Sequence, residues 1–149
     1  MYTEFWDTLS LSKRLYNEYL RPICDKFGLT RMELDILLFL ANNPEYDTAK
    51  EIVEVRRLTK SQVSMSLRSL VQRGYLRKTF HPGNRKTIHL ALLPSAKGII
   101  EHGRQVQASF FSLLFEGVSP EKIEEIEHDF QRIAGNLRTR LEEGQLNAD

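Results

Sequence analysis

The sequence predicts a mostly α-helical protein built as a winged helix-turn-helix, with six helices, a β-hairpin wing and a helical dimerisation region. Three observations predict this fold class. Two short helix-like segments are joined by about three residues. Two extended segments flank a Pro-Gly-Asn turn, and longer segments with helix-like apolar spacing occur towards both ends of the chain.

Apolar spacing and capping residues mark the first two helices. A helix is expected from about Glu4 to Leu20, with Pro22 disturbing it near its end and Gly28 stopping it. Thr30 then begins a second helix as its N-cap, and Glu33, three residues on, completes a capping box. The buried stripe of this second helix is predicted to be Leu34, Leu37, Leu38 and Ala41.

The next two helices have the proportions of a helix-turn-helix. The third is expected to start at Asp47 or Thr48 and to run to about Arg57. The fourth begins after Thr59, where Gln62 completes another capping box, and it ends near Gly74. The turn between them, residues 57–59, is as short as this motif requires.

A β-hairpin and two longer helices follow. Residues 75–80 and 85–92 read as strands on either side of the turn 81–84, and Pro94 opens a fifth helix that extends to about Phe115. A sixth helix starts around Pro120. Its apolar positions step by three or four residues, as in a coiled-coil seam: Ile123, Ile126, Phe130, Ile133, Leu137 and Leu141.

Length and composition narrow the class of protein. The chain has 149 residues, 41% of them hydrophobic, which is typical of one folded domain rather than of a disordered chain. Its longest apolar run, Ile36 to Ala41, is far shorter than the roughly 20 residues that span a membrane. The first residues lack the pattern of a signal peptide, and the lone Cys24 suits a reducing compartment, so a cytoplasmic protein is expected.

Charge is distributed unevenly along the chain. The formal net charge is +1, but residues 50–86 have ten basic and two acidic side chains, a net charge of +8. The rest of the chain has 11 basic and 18 acidic side chains, a net charge of −7. A segment this basic predicts a surface that binds anions such as the phosphates of DNA.

A helical wheel divides the fourth helix into an apolar and a polar face. Val63, Leu67, Leu70 and Val71 are expected to face the core. The opposite face has hydroxyls, amides and basic groups but no carboxylate, which suits phosphates and base edges. The predicted DNA-binding residues are Lys60, Ser61, Gln62, Ser64, Met65, Arg68 and Arg73 in and after this helix, and Lys78, Arg85 and Lys86 in the wing.

Different contacts are expected within this set. Ser61, Gln62, Met65 and Arg68 are placed to touch bases in the major groove, because the N-terminal end of the second helix enters first. Arg85 can enter a minor groove from the wing. Lys78 and Lys86 are expected to contact the DNA backbone, which positions the protein without reading sequence.

Five segments carry a resemblance to known proteins: 48–54 (TAKEIVE), 58–64 (LTKSQVS), 67–76 (LRSLVQRGYL), 84–90 (NRKTIHL) and 95–98 (SAKG). With the order of six helices and one wing, they resemble the MarR family of bacterial transcription regulators over nearly the whole chain. The resemblance implies a homodimer on a palindromic operator, usually repressing nearby genes, and it matches Arg85 to the family's minor-groove arginine. The family's wing usually has an acid where this chain has Asn84, so a looser wing is expected.

The apolar surface of the first, fifth and sixth helices predicts a domain organisation, and the resemblance implies an effector. Residues 1–29 and 94–149 are predicted to form the dimerisation region, and residues 30–93 the winged helix-turn-helix lobe, within a single structural domain. Relatives bind small aromatic anions between the dimer helices and the DNA-binding lobe. Residues near such a pocket are expected to include Trp6, Tyr16, Leu38 and Arg57.

Two other classes of function remain open from the sequence. One is a winged-helix adaptor whose basic face binds an acidic protein. The other is a thiol or metal sensor that uses the same DNA-binding machinery, with Cys24 or the scattered histidines as the sensing groups: His81, His89, His102 and His128. No nucleophile-elbow motif or phosphate-binding glycine loop is present, so neither an enzyme, nor a cofactor, nor a metal is expected.

Overall fold

The computed structural model describes residues 1–146, with side chains through residue 144. The predicted order is confirmed, because these residues form six α-helices and one antiparallel β-hairpin. The helices are α1 (Tyr2–Phe27), α2 (Arg31–Asn42), α3 (Ala49–Arg56), α4 (Lys60–Gln72), α5 (Lys97–Leu114) and α6 (Pro120–Leu146). The strands are β1 (Leu76–His81) and β2 (Asn84–Leu92), and a 3-10 turn, Pro94–Ala96, precedes α5. The chain divides into two compact units, Met1–Phe110 and a second that begins at Phe111.

The first helix extends beyond the apolar pattern that predicted it. The pattern ends near Leu20, whereas the helix continues through Pro22 to Phe27. Leu20 and Ile23, on either side of the proline, are both fully buried, and this packing holds the helix across the missing N–H donor. Gly28 stops the helix as predicted, with a φ of 62° in the left-handed region.

Capping boxes begin three of the helices. The boxes predicted at Thr30 and Thr59 are both present. A third box starts α3, where the Thr48 hydroxyl accepts from the backbone N–H of Glu51 and the Glu51 carboxylate accepts from the backbone N–H of Thr48. Each box satisfies donors that the first turn of a helix leaves unpaired, and it sets the residue at which the helix starts.

The hairpin departs from a regular ladder near its tip. Leu76 pairs with Leu92 and Thr79 pairs with His89, but the next pair is His81 with Asn84. Residues 85–88 therefore stand opposite a single residue of β1, which is a bulge. The tip turns at Pro82 and Gly83, where Gly83 has a φ of 78° that glycine adopts without strain.

The hydrophobic core of the first unit is arranged around α2. Leu34 and residues 36–40 are all buried, so burial extends beyond the predicted stripe, and Ala41 is only partly buried. The reason is that α1, α4 and β2 all pack against this one helix. The main buried contributions of the other elements are Leu20 and Ile23 in α1, Ile52 in α3, Val63, Leu67 and Leu70 in α4, Leu76 and Leu90 in the wing, and Ile99 and Ile100 in α5.

We predict opposite effects for two alanine substitutions in α5. A Cβ at Gly103 would lie 2.5 Å from Cδ2 of Leu38, a core side chain that is 3% exposed. Gly103→Ala should therefore lower the free energy of unfolding by about 1–3 kcal/mol through overpacking. Gly98→Ala meets nothing within 4 Å and should raise it by up to about 1 kcal/mol through better helix propensity. Urea denaturation of both variants tests this, and effects of the same sign would contradict it.

Candidate nucleic-acid interface

The turn between α3 and α4 has a defined backbone geometry. Arg57 adopts a φ of 51°, a left-handed conformation that costs a non-glycine residue about 1–2 kcal/mol. The N–H of Leu58 donates to the carbonyl of Val53 at 3.1 Å. Thr59 then caps α4, and its hydroxyl accepts from the backbone N–H of Gln62 at 3.3 Å. The start and the direction of α4 are therefore fixed by local hydrogen bonds as well as by the core.

The two faces of α4 are separated as the wheel predicted. Val63, Leu67 and Leu70 are buried, and Val71 is partly buried. The predicted contact residues Lys60, Ser61, Gln62, Ser64, Met65 and Arg68 are all exposed. Met65 has a large apolar side chain that is 68% exposed, and nothing in the described chain covers it. The polar face contains no carboxylate anywhere between Lys60 and Gln72.

Gln62 has a structural task in addition to its predicted contact with bases. Its side-chain oxygen accepts from the hydroxyl of Thr59 at 2.9 Å and from the Thr59 backbone N–H at 3.4 Å. A bidentate pair with adenine uses both the oxygen and the nitrogen of the amide. Gln62 would therefore have to leave the capping box to read an adenine in that way.

Asn84 braces the tip of the wing. Its side-chain oxygen accepts from the backbone N–H of Lys86 at 3.0 Å and of Thr87 at 3.2 Å. Its amide nitrogen donates to the Thr87 hydroxyl at 3.1 Å. The resemblance predicted that the wing lacks the salt bridge usual at this position. The hydrogen bonds of Asn84 support the tip next to Arg85 instead.

The base of the wing is tied to the start of α3. The N–H of Leu90 donates to the carbonyl of Asp47 at 2.7 Å, and Thr48 forms an isolated bridge with His89. Nδ1 of His89 lies 3.2 Å from both carboxylate oxygens of Asp47, and the His89 ring stacks on that of His81 with centroids 3.7 Å apart. The wing and the helix-turn-helix are thus held together by backbone and side-chain bonds.

A groove of about 640 Å³ lies between α3, α4 and the wing. Four predicted contact residues line it, Lys60 and Ser64 from α4 with Lys78 and Lys86 from the wing. The groove also has apolar lining residues: Ala49, Val53, Val63, Leu67 and Ile88. The structure therefore brings separate parts of the predicted site together into one surface, which is named the basic groove below.

Arg73 lies apart from the basic groove. Its guanidinium donates to the backbone carbonyls of Gly28 at 2.8 Å and of Phe27 at 2.5 Å, where α1 ends. The same group lies 3.6 Å from the carboxylate of Glu33, which is buried. These contacts join the C-terminal end of α4 to the end of α1. That Arg73 contacts DNA stays a prediction.

Sequence reasoning left out two residues at this surface. Lys50 of α3 lines the basic groove, and its ammonium lies 3.7 Å from the carboxylate of Glu54. Phe80 of β1 is 47% exposed beside the basic residues of the wing. One signal was available, because residues 55–100 contain no aspartate or glutamate at all. A scan for the longest acid-free segment would have included Phe80, although not Lys50.

Of the candidate sensing groups, the described structure brings only His81 and His89 together. Burial raises the pKa of the Cys24 thiol, and the nearby Arg31 guanidinium only partly opposes this, so less of the reactive thiolate forms at neutral pH. Within residues 1–144, no three His, Cys, Asp or Glu side chains are grouped as a metal site would require.

Among the described residues, none of the helices combines the length and the hydropathy of a membrane span.

Comparison with known proteins found one matching family model and several solved structures with a similar fold. Residues 27–87 match the model of the MarR family. A MarR transcriptional regulator from Methanosarcina mazei is 15% identical, with a TM-score of 0.76 over 90% of this chain and 96% of its own. The Staphylococcus aureus MepR–DNA complex is 16% identical, with a TM-score of 0.71 over 92% and 98% of the two chains. MarR of the same organism, in complex with salicylate and kanamycin, is 19% identical, with a TM-score of 0.75 over 92% of each. Comparison with curated protein sequences found no match.

These findings identify the class of protein. A helix-turn-helix with an acid-free outer face and a basic wing defines a winged-helix DNA-binding protein. The resemblance to the MarR family is confirmed, since the family model covers the helix-turn-helix and most of the wing and the solved structures share the fold. Residues 27–87 are therefore similar to the DNA-binding part of MarR-family transcription regulators, and the chain shares the fold of solved members of that family.

We predict that Arg73→Ala acts mainly on stability. The substitution removes the hydrogen-bond donor of two carbonyls at the end of α1 and the cation beside the buried Glu33, whose carboxylate keeps the bond from the Thr30 N–H. This should lower the free energy of unfolding by about 1–3 kcal/mol. The exposed Arg77 on β1 serves as the matched control, and Arg77→Ala should stay within about 0.5 kcal/mol of the parent protein. Chemical denaturation measures both values. Unchanged stability of Arg73→Ala, with a weaker salt dependence of DNA binding, would instead support a phosphate contact.

Proposed function

We propose that this protein is a cytoplasmic repressor that binds a palindromic DNA operator as a homodimer. The observation that carries the proposal is the union of the acid-free face of α4 with the lysines of the wing in one basic surface. The lysines of such a surface can bind phosphates, and the hydrogen-bonding groups of the neighbouring helix can contact base edges. A regulator seated on an operator that overlaps a promoter excludes the polymerase, and repression follows from this competition.

Individual residues take different roles in this proposal. Ser61, Gln62, Met65 and Arg68 read bases in the major groove, with Lys60 and Ser64 beside them at the rim of the basic groove. Lys78 and Lys86 contact phosphates, and Arg85 enters the minor groove. Arg68 is the strongest candidate for reading a base, since it is exposed on α4 and a guanidinium can pair with guanine in bidentate fashion. Arg73 contributes by holding α4 in place.

Exposed apolar helix faces support the homodimer. Along α6 the apolar side chains Phe130, Ile133, Leu137 and Leu141 are 42–61% exposed, at the steps of a coiled-coil seam. At the start of α1, Phe5 and Trp6 are exposed as well. A second copy that covers these faces would remove the apolar area from water. In this proposal residues 1–29 and 94–149 form the dimer interface, and residues 30–93 contact DNA.

We also propose that a small aromatic carboxylate releases the protein from DNA by occupying the basic groove. The groove is lined by apolar side chains and by four lysines against one carboxylate, that of Glu54, and this net positive charge suits an aromatic ring bearing one negative charge. Lys60, Lys78 and Lys86 would then serve both the ligand and DNA, so the two compete. None of the four residues expected near an effector pocket lines this groove, and Leu38 is buried in the core. The related MarR of Staphylococcus aureus was solved with salicylate.

The operator proposal is tested by selecting duplexes from a random pool with the parent protein and with Arg68→Ala. The parent should select two inverted half-sites about 34 Å apart and bind as two chains per duplex in analytical ultracentrifugation. Arg68→Ala should lose discrimination at one position in each half-site, worth about 1–3 kcal/mol.

A matched variant separates base reading from charge in this experiment. Lys78→Ala should weaken binding to all sequences alike and reduce the salt slope of the binding constant by about one. Equal losses of Arg68→Ala on the selected duplex and on random DNA would refute base reading by Arg68. One chain per duplex, or a selected motif without two-fold symmetry, would refute the homodimer.

The effector proposal predicts competition between salicylate and DNA. Salicylate should raise the apparent Kd for the selected duplex in proportion to its concentration, and it should shift the NMR signals of Val53, Val63 and Ile88 in the basic groove. Salicylamide, which lacks the carboxylate, is the matched control and should act far more weakly. If salicylate leaves the Kd unchanged, or shifts signals elsewhere only, the basic groove is not the effector site.

A further inference from the structure

Phe80 is an aromatic side chain that the fold of the first unit does not use. It is 47% exposed, and it belongs neither to the hydrophobic core nor to the partly buried residues packed against that core. Other apolar residues of the hairpin, such as Tyr75, Ile88 and Leu92, do pack against the core. Exposure alone assigns no role to such a ring. The bulge and the cations around Phe80 are what indicate a contact outside the chain.

The bulge of the wing sets the position of Phe80. Thr79 still pairs with His89, whereas the next pair joins His81 to Asn84, so Phe80 alone stands opposite residues 85–88. That segment begins with Arg85 and Lys86, both exposed. A bulge changes the local twist of a strand and the direction of its side chains. The aromatic ring and the proposed minor-groove arginine thus belong to the same irregular part of the hairpin.

The same surface is rich in positive charge. Lys78, two residues before Phe80 on β1, lines the basic groove. Arg77, Arg85 and Lys86 are also exposed in the hairpin, and the wing contains no carboxylate. An acidic protein or DNA would be attracted to these cations. DNA is favoured because the exposed face of α4 next to the groove has the groups that read base edges.

We propose that Phe80 makes an apolar contact with DNA in the minor groove, beside the position of Arg85, and that it favours flexible pyrimidine–purine steps there. The inference deepens the proposed operator binding and rests on it. Apolar side chains that enter the minor groove partly unstack a base step, which is easiest at TA and CA steps and hardest in stiff A-tracts. Phe80 thereby adds affinity that does not depend on salt, and it gives sequence preference without a hydrogen bond to a base.

The test compares Phe80→Ala, Phe80→Leu and Lys86→Ala on the duplex recovered from the random pool, over a range of salt concentrations. Phe80→Ala should bind roughly tenfold more weakly at every salt concentration with an unchanged salt slope, because no phosphate contact is lost. Phe80→Leu, which retains apolar bulk, should recover part of the affinity. Lys86→Ala should reduce the slope by about one.

A second comparison varies the DNA. The base step that the wing covers is changed from TA to AA in the recovered duplex. The parent protein should prefer the TA duplex several-fold, and Phe80→Ala should bind the two equally. Val55→Ala removes another apolar side chain, 44% exposed on α3, and serves as the control that should change neither affinity nor step preference.

Each outcome decides a separate question. Unchanged affinity and step preference of Phe80→Ala would overturn the inference and leave operator binding intact. If the parent protein itself recovers no duplex, the proposed operator binding fails first. A loss of affinity accompanied by a lower Tm in both Phe80→Ala and Phe80→Leu would assign Phe80 a structural role instead. Binding of an acidic peptide that depends on Phe80 would favour the adaptor class.

Discussion

The burial of α2 on nearly every side is the constraint on which the first unit depends. Because α1, α4 and β2 all cover this helix, each of them can expose only the face that points away from it. For α4 that exposed face is the polar one. The end of β2 near the hairpin tip is exposed as well. The close approach at Gly103, where Leu38 leaves no room for a Cβ, shows how tightly α5 follows the same helix. The proposed DNA-binding surface is therefore a consequence of how the core is filled.

Polar bonds then fix the elements that the core has placed. Arg73 joins the end of α4 to the end of α1 through two backbone carbonyls and Glu33. Asp47 holds the base of the wing to the start of α3. A displacement of the end of α1 would therefore act directly on α4. These contacts form a continuous path of hydrogen bonds and ion pairs between the elements.

The sequence predicted the helices and strands well, but it predicted the contacts between distant elements less well. Local rules were sufficient for the capping boxes at Thr30 and Thr59 and for the stop at Gly28, because caps depend on residues three or four apart. Pro22 was expected to disturb α1 near its end, but the helix continues through it to Phe27, since core packing outweighs the missing hydrogen bond. The bonds of Arg73 span 45 residues or more, and no local pattern indicated them.

By itself the sequence determined the winged helix-turn-helix, the acid-free face of α4 and the basic segment between acidic flanks, because periodicity and charge are properties of neighbouring residues. Only the tertiary structure decided which basic groups share a surface. It brought Lys50, Lys60, Lys78 and Lys86 to one groove and directed Arg73 to the end of α1. It also placed Phe80 in a bulge, exposed beside the wing's cations. Distances between residues far apart in the chain depend on how the core closes, and that information is absent from any local segment.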